Sequence, residues 1–434
     1  MSKEDDVYNI LIYRIPALKY KRIPTPKMFS SIQLLLVLLY SFHTTTADTT
    51  TKCTLSTVGN TCTVTSPAAS ESASLMTYKR LGNSGLLVSR LSYGAWITFG
   101  EQIDDDAAYN IMKLCLDAGI NLFDNAEAYN AGLAEEVMGR VFKRLEVDYP
   151  IQRSDYVVTT KIFFGTARGH GKHKDRTRWI PNQRGLSRKH IIEGTKASLK
   201  RLQMEYVDVV YAHRFDPHTP MEEIVRAFNW IIDQGMAFYW CTSEWTSEQI
   251  TRAMEVANRM KLIGPICEQP QYNMLHRQRF ETEYQPLYNN YNYGTTIWSS
   301  LSSGILTGKY NNGIPADSRL GLESADYILK AFLDGSRHKG LSMDDMLAKV
   351  QLLGAVAKRL GCTMAQLAIG WTLKNEHVTS VILGATKISQ LEDNFGALRV
   401  AQDLLSQEVM EEIEIILGNK PSSIQDWNPN PTEL

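Results

Sequence analysis

What this chain lacks excludes several large functional classes. No Gly-x-Gly-x-x-Gly follows a strand pattern in its 434 residues, so a Rossmann dinucleotide site is not indicated. The six cysteines, at 53, 62, 115, 241, 267 and 362, show no Cys-x-x-Cys pairing, so a zinc framework has no support and no metal is expected. Four of them lie in the regular part of the chain and read as small buried apolar residues in a reducing compartment. Charge is also nearly absent as a net quantity. At −1 the chain has no overall attraction to nucleic acid or to an anionic membrane. The run Leu34-Leu-Leu-Val-Leu-Leu-Tyr40 is far shorter than the ~20 apolar residues a membrane helix needs, so no stable insertion is expected.

That run belongs to a region, 1–75, that does not read like the rest. Lys19, Lys21, Arg22 and Lys27 precede it, and a Thr/Ser-rich stretch follows to about Ser74. The stretch 28–47 has the length of a signal-peptide core, with Thr45-Thr-Ala47 as a weak cleavage site. Its basic residues begin unusually deep in the chain for that role. The reading adopted is a disordered or wrongly joined extension over 1–75, a single domain over 76–421, a tail over 422–434, and a cytoplasmic location. A secreted protein with 28–47 as a working signal stays open.

From Tyr78 the pattern becomes regular. Asn83-Ser-Gly85 between Tyr78–Leu81 and Leu86–Val88 predicts a hairpin that plugs one end of a barrel. Short apolar runs then alternate with helical periods, the signature of βα units. Eight candidate strands emerge: Leu91–Gly94, Asn121–Phe123, Val157–Thr160, Val207–Tyr211, Phe238–Thr242, Ile266–Glu268, Thr296–Trp298 and Ser380–Leu383. The expected fold is an α/β (β/α)8 TIM barrel with the plug before it and a C-terminal helix after it. Capping boxes are expected at Thr219–Glu222, Thr363–Gln366 and Ser389–Glu392, with an Asp version at Ser342–Asp345 whose helix stops at Gly361. Ile191, Thr195, Ser198 or Leu199, and Leu202 mark the inner face of the third helix.

Three strand ends carry reactive side chains. Asn121-Leu-Phe-Asp124 ends in a carboxylate, with Tyr129 five residues on. Val157-Val-Thr-Thr-Lys161 ends in a lysine, and Val207-Asp-Val-Val-Tyr-Ala-His213 in a histidine. A (β/α)8 barrel aims such groups at one point on its C-terminal face. Reduction of a carbonyl needs a hydride on carbon and a proton on oxygen. Tyrosine is a weak acid, with a reference pKa near ~10. A lysine cation beside it is expected to lower that value. Asp124 would hold Lys161 charged, Tyr129 would be the general acid, and His213 would bond the substrate oxygen or relay the proton. Singly, each has an ordinary reading as a cap, a packed ring, a surface charge or a core histidine. Four on one face favour the joint reading.

Phe123-Asp-Asn-Ala-Glu-Ala-Tyr129, Thr160-Lys161 and Tyr211-Ala-His-Arg-Phe-Asp216 resemble the active-site motifs of the aldo-keto reductases. Arg184–Gly194, Pro220–Glu223, Cys267-Glu-Gln269 and Leu417–Pro421 resemble the branch holding potassium-channel β-subunits and their microbial relatives. The resemblance implies NADPH/NADP+ laid across the barrel mouth and a small carbonyl substrate. It also leaves a homotetramer and a channel partner open. It implies cofactor contacts, besides Asp124 and His213, at Trp96 and Gln102, at Ser243 and Gln269 near the nicotinamide, and at Trp298, Ser299 and Leu301 beside the pyrophosphate. Lys309 and Arg319 match basic residues near the adenine-ribose phosphate, and Gly384, Thr386, Gln390, Asp393 and Asn394 match the last phosphate and adenine contacts. Two of these placements have support in the residues themselves. Gly384-Ala-Thr386 leads into a helix start, where N–H groups meet anions. Lys309 and Arg319 flank a Gly/Asn-rich loop, where charge would favour NADPH over NADH.

Three positions depart from the branch: Glu244 in place of arginine, Cys241 in place of glycine and Ser300 in place of proline. The loop from Gly165 to Arg184 is long and carries His170, Lys172, His173, Lys174, Arg176 and Arg178; a basic loop at the mouth could recognise an anionic substrate, and solvated surface charge is the favoured reading. His213 stands where animal channel subunits carry asparagine. It tips the reading toward a working reductase, with a regulatory β-subunit that senses redox state through bound nucleotide as the rival.

Overall fold

Every residue of Val157–Ile162 and of Val207–Ala212 is buried, as a parallel strand covered on both faces requires. A computed structural model describes residues 52–55, 61–65, 75–96, 98–166, 181–316, 318–321, 326–333 and 341–422. The signal-like stretch 28–47, the basic residues from His170 to Arg178 and the tail from 423 on lie outside the described residues.

Four antiparallel strands come first: β1 (Lys52–Leu55), β2 (Thr61–Thr65), β3 (Thr77–Arg80) and β4 (Leu87–Ser89). The last two are the expected hairpin, with Arg80 opposite Leu87. The first two fall inside the stretch read as an extension, and β2 pairs with β3. The plug meets the barrel backbone to backbone. A Cβ on Gly82, whose φ is +58°, would lie 2.0 Å from the Ile266 carbonyl oxygen, so only glycine fits that contact.

Eight parallel strands close the barrel: β5 (Leu91–Gly94), β6 (Leu122–Asp124), β7 (Val157–Ile162), β8 (Val207–Ala212), β9 (Ala237–Thr242), β10 (Cys267–Glu268), β11 (Gly294–Ile297) and β12 (Ser380–Leu383). All eight expected strands are present. The seventh starts and ends earlier than the pattern suggests, at Gly294, because Gly294 pairs with Cys267 while Trp298 turns into the loop. Leu81 and Val88 of the plug pack with Leu122, Val157, Val209 and Ile266 to fill the floor. A second core lies between the strands and the outer helices, where Phe142 stacks on Tyr156 and Phe228 on Trp240.

The outer layer comprises α1 (Asp105–Asp117), α2 (Leu133–Asp148), α3 (Arg188–Leu202), α4 (Met221–Asp233), α5 (Ser247–Met260), α6 (Gln285–Tyr291) and α7 (Asp326–Leu333). It continues with α8 (Met343–Leu360), α9 (Met364–Lys374), α10 (Ile388–Phe395) and the C-terminal α11 (Gln407–Leu417). The boxes at Ser342–Asp345 and Thr363–Gln366 form, and α8 ends on Gly361 at φ 69°. A further box, Thr246–Gln249, starts α5. Ile191, Thr195, Ser198, Leu199 and Leu202 are buried on α3.

Two expected caps are corrected. Thr219 does not cap α4, because the helix starts one residue later than expected, with Pro220 at the cap position, and the Thr219 hydroxyl donates to Asp216 Oδ2 at 2.7 Å. Ser389 lies inside α10, which begins after Lys387. The Gln390 side chain instead reaches back to accept from the Thr386 N–H at 3.3 Å. Among the described residues no single helix is long and apolar enough to cross a membrane.

Candidate active site

The ends of β6, β7 and β8 bring Asp124, Lys161 and His213 together, and the loop after β6 brings Tyr129. Lys161 is fully buried. An ammonium in that position costs several kcal/mol unless its donors are satisfied. It has three, and the chain supplies three acceptors: Asp124 Oδ2 at 2.5 Å, the Asn125 carbonyl at 2.8 Å and Tyr129 Oη at 2.9 Å. Asp124 is fixed in turn through Oδ1, which accepts from Thr159 Oγ1 at 2.7 Å and Gln269 Nε2 at 3.0 Å. Because Lys161 donates to the tyrosine oxygen, the Tyr129 hydroxyl proton is directed elsewhere. The His213 ring stands edge-on to Tyr129 at 5.9 Å and to Phe164 at 5.1 Å.

Burial raises the Tyr129 pKa, and the nearby Lys161 and Arg214 cations only partly offset it. The expected lowering is therefore corrected: desolvation of the phenolate outweighs the lysine's attraction. Tyr129 rests protonated, the form a proton donor needs. Lys161 is held above its ordinary value. Burial acts against the charge, but attraction to Asp124 and the bond to Tyr129 overcome it. The turn that carries the tyrosine is strained, with Asn130 at φ 48° and Ala131 at φ 57° before Gly132.

Tyr129 and His213 open onto a cavity of about 590 Å3, within the ~300–1,000 Å3 range of ligand pockets. Trp96 and Gln102 line it from the loop after β5, Ser243 from just after β9 and Gln269 from just after β10. Trp298, Ser299 and Leu301 line it after β11, with Lys309 and Arg319 farther along the same connection. Gly384, Thr386, Gln390, Asp393 and Asn394 complete it from β12 and α10. Trp96 lies edge-on to Trp298 at 6.3 Å, and the Arg319 guanidinium sits 5.5 Å from the Trp96 ring. The Ser243 hydroxyl donates to the Gln269 carbonyl at 3.0 Å. Asp393 is held by Thr363 Oγ1 at 2.9 Å and Gln366 Nε2 at 3.1 Å, which leaves it a weaker candidate for a ligand contact.

A dinucleotide laid across this cavity would meet particular atoms. Gln102 Nε2 and Ser303 Oγ are buried beside the cavity and make no hydrogen bond to the described residues. Such orphaned groups call for a partner. Lys309 and Arg319 supply two cations. Gly304 at φ 97° makes room for the first, since a Cβ there would fall 2.7 Å from Lys309 Cε.

The three departures from the branch pattern each take a structural place. Glu244 does not face a ligand: its carboxylate accepts from Trp298 Nε1 at 2.9 Å and the Gln271 N–H at 2.6 Å, and pairs with Arg279 at 3.0 Å. Cys241 points into the barrel among Tyr211 and Cys267, fully buried. Ser300 sits in a loop where Ser299, Ser302 and Ser303 all take left-handed backbone.

Residues that pattern reading did not single out also reach the cavity, among them Phe164, Arg214 and Ser303. Phe164 is aimed by Glu127, whose Oε1 accepts from the N–H groups of Phe163 and Gly165 at 2.8 Å each and contacts His190 Nε2 at 3.1 Å. The available signal was the motif itself, since Glu127 and Arg214 stand inside the quoted segments.

Fold and site define a class: a plugged (β/α)8 barrel with Asp, Tyr, Lys and His converging beside a ligand-sized cavity. The sequence profile of the aldo/keto reductase family matches residues 90–417. A protein of Oryza sativa subsp. japonica named "Probable voltage-gated potassium channel subunit beta" is 51% identical over 353 residues, 81% of this chain and 100% of its own length. A protein of the same name from Arabidopsis thaliana is 52% identical, also over 353 residues with the same coverage. This chain belongs to the aldo/keto reductase family.

Proposed function

We propose that the protein reduces aldehydes or ketones to alcohols with NADPH, in the cytoplasm. One observation supports this most directly. Lys161 directs its three donors at Asp124, Asn125 and Tyr129, so the Tyr129 hydroxyl is left to donate into a cavity that His213 also lines. Bound NADPH supplies the hydride, which is chemistry the nicotinamide owns. The chain's residues do the rest. Gln102, Ser303, Lys309 and Arg319 would hold the dinucleotide, and the two cations suit its extra phosphate. His213 orients the carbonyl oxygen. Tyr129 gives that oxygen its proton, and Lys161 stabilises the phenolate that remains. Asp124 keeps Lys161 charged and aimed.

The test is NADPH oxidation by the full chain with a panel of aromatic aldehydes and methylglyoxal. Turnover is expected, and Tyr129→Phe is expected to lower kcat about 10²–10⁴-fold. A second reading comes from the relatives' printed name and their full-length alignment: a β-subunit, assembled as a tetramer, that binds a channel and uses the nucleotide as a redox sensor. Tight NADPH binding without turnover of any aldehyde would favour it.

A further inference from the structure

The cavity carries a cation that the reduction itself does not use. Arg214 directly follows His213 at the end of β8, half-buried and lining the cavity. Its Nη1 donates to the His213 carbonyl at 2.5 Å and to Ser243 Oγ at 3.2 Å, which fixes the guanidinium beside the catalytic residues. No carboxylate among the described residues pairs with it. Arg201, Arg277 and Arg279, comparably buried or more so, each pair with a glutamate at 3.0 Å or less. A guanidinium has five N–H donors, and neither Nε nor Nη2 of Arg214 bonds to a described residue. A second guanidinium shares the same aromatic neighbour. Arg184 and Arg214 lie 5.7 and 5.9 Å from the ring of Phe164, which itself meets His213 at 5.1 Å. The positive charge of Arg214 reaches the reacting proton, since it helps to lower the Tyr129 pKa against burial.

We propose that Arg214, reinforced by Arg184 across Phe164, selects carbonyl substrates that carry a carboxylate. The carbonyl sits between Tyr129 and His213, and the carboxylate accepts from the idle Arg214 donors in the fork geometry that guanidinium offers. A neutral substrate leaves that half-buried cation unpaired, so discrimination arises from the missing partner as well as from the new bond. This inference rests on the reductase reading above.

The experiment compares para-carboxybenzaldehyde with its neutral isostere para-formylbenzamide, using the full chain and saturating NADPH. The kcat/KM ratio is expected to favour the carboxylate by about 10- to 100-fold, the weight of one charge-assisted hydrogen bond. Arg214→Gln should bring the ratio near one, and Arg214→Lys should keep part of it. Benzoate should inhibit the unaltered protein in competition with aldehyde, and benzamide should not, which tests the site without any substitution. A ratio near one in the unaltered protein, or a ratio unchanged in Arg214→Gln, overturns the proposal. So does equal loss on both aldehydes with weaker NADPH binding, which assigns Arg214 to the cofactor. Turnover of the amide with no carboxylate preference sinks only this inference. Turnover of neither aldehyde sinks the reductase reading with it.

Discussion

At the floor of the barrel, Leu81 and Val88 press onto Leu122, Val157, Val209 and Ile266. At the mouth, the same strands end in a fully buried lysine, a buried aspartate and a buried glutamate, Glu268. The backbone differs in the same sense. Among the described non-glycine residues with positive φ, Gln203, Lys261 and Asn292 simply cap helix C-termini. Asn130, Ala131, Glu244, Ser299, Ser302 and Ser303 lie in loops that leave strands at the mouth. The floor follows local rules of burial, while the mouth breaks them at several adjacent points. Strain and buried charge persist only where surrounding structure over-determines them, and they gather where chemistry is done.

Removing one charge from each end should show this asymmetry most strongly. Lys161→Met leaves Asp124 buried without its cation and is expected to cost about 3–5 kcal/mol by denaturant unfolding, with turnover lost. Near the floor, Arg153 pairs with Asp208 at 2.7 Å, and there the aspartate is buried while the arginine keeps part of its surface in water. Arg153→Ala should cost only about 1–2 kcal/mol, the ion pair and its packing on Tyr206 together. Equal losses would mean that the lysine's burial carries no special weight.

The same asymmetry governs what could be read from sequence. All eight barrel strands and the plug were legible, because burial on both faces of a strand leaves apolar runs and a hairpin leaves Asn-Ser-Gly. The reactive residues were legible as strand ends. The sign of the Tyr129 shift was not, since a motif shows the neighbouring lysine but not the depth of burial that opposes it. The caps at Thr219 and Ser389 failed because each helix starts off the expected residue, α4 after Pro220 and α10 after Lys387, and pattern places a helix boundary only to within a residue or two. Arg214 was visible as a letter, yet its lack of a carboxylate partner appears only in three dimensions.

Titration should separate the two ends next. Burial pushes the Glu268 carboxyl up to about 8, against bonds from Thr242 and the Trp245 N–H, with Glu244 adding to the rise. Below about 4.5, folded and unfolded chains both hold the proton. Between there and about 8 only the folded state does, so stability falls as pH rises. Glu268→Gln should remove that slope, worth a few kcal/mol in order of magnitude, in Tm or denaturant midpoints taken from pH 5 to 8. A slope unchanged by the substitution would show that Glu268 ionises freely in the fold. Gly82→Ala comes next in size. Its Cβ would meet the Ile266 carbonyl and force the plug away, costing about 1–3 kcal/mol with the folded fraction still active. Loss of kcat in that fraction would mean that the floor and the mouth are coupled.

The smallest effect tests whether the mouth's strain is real. Ala131 holds φ 57° two residues after Tyr129, a conformation that costs an L-residue about 1–2 kcal/mol. Glycine removes that penalty but adds about 0.5–1 kcal/mol of chain entropy to the unfolded state. Ala131→Gly should therefore stabilise the protein by about 0.5–1 kcal/mol, whereas Ala131→Val should destabilise it. The gain should come with a lower kcat, because a looser turn holds the Tyr129 hydroxyl less firmly against Lys161. If glycine stabilises and kcat is untouched, the left-handed turn is tolerated strain without a part in aiming the proton. If glycine destabilises, the turn is not left-handed in solution, and the contrast between the two ends loses one of its supports.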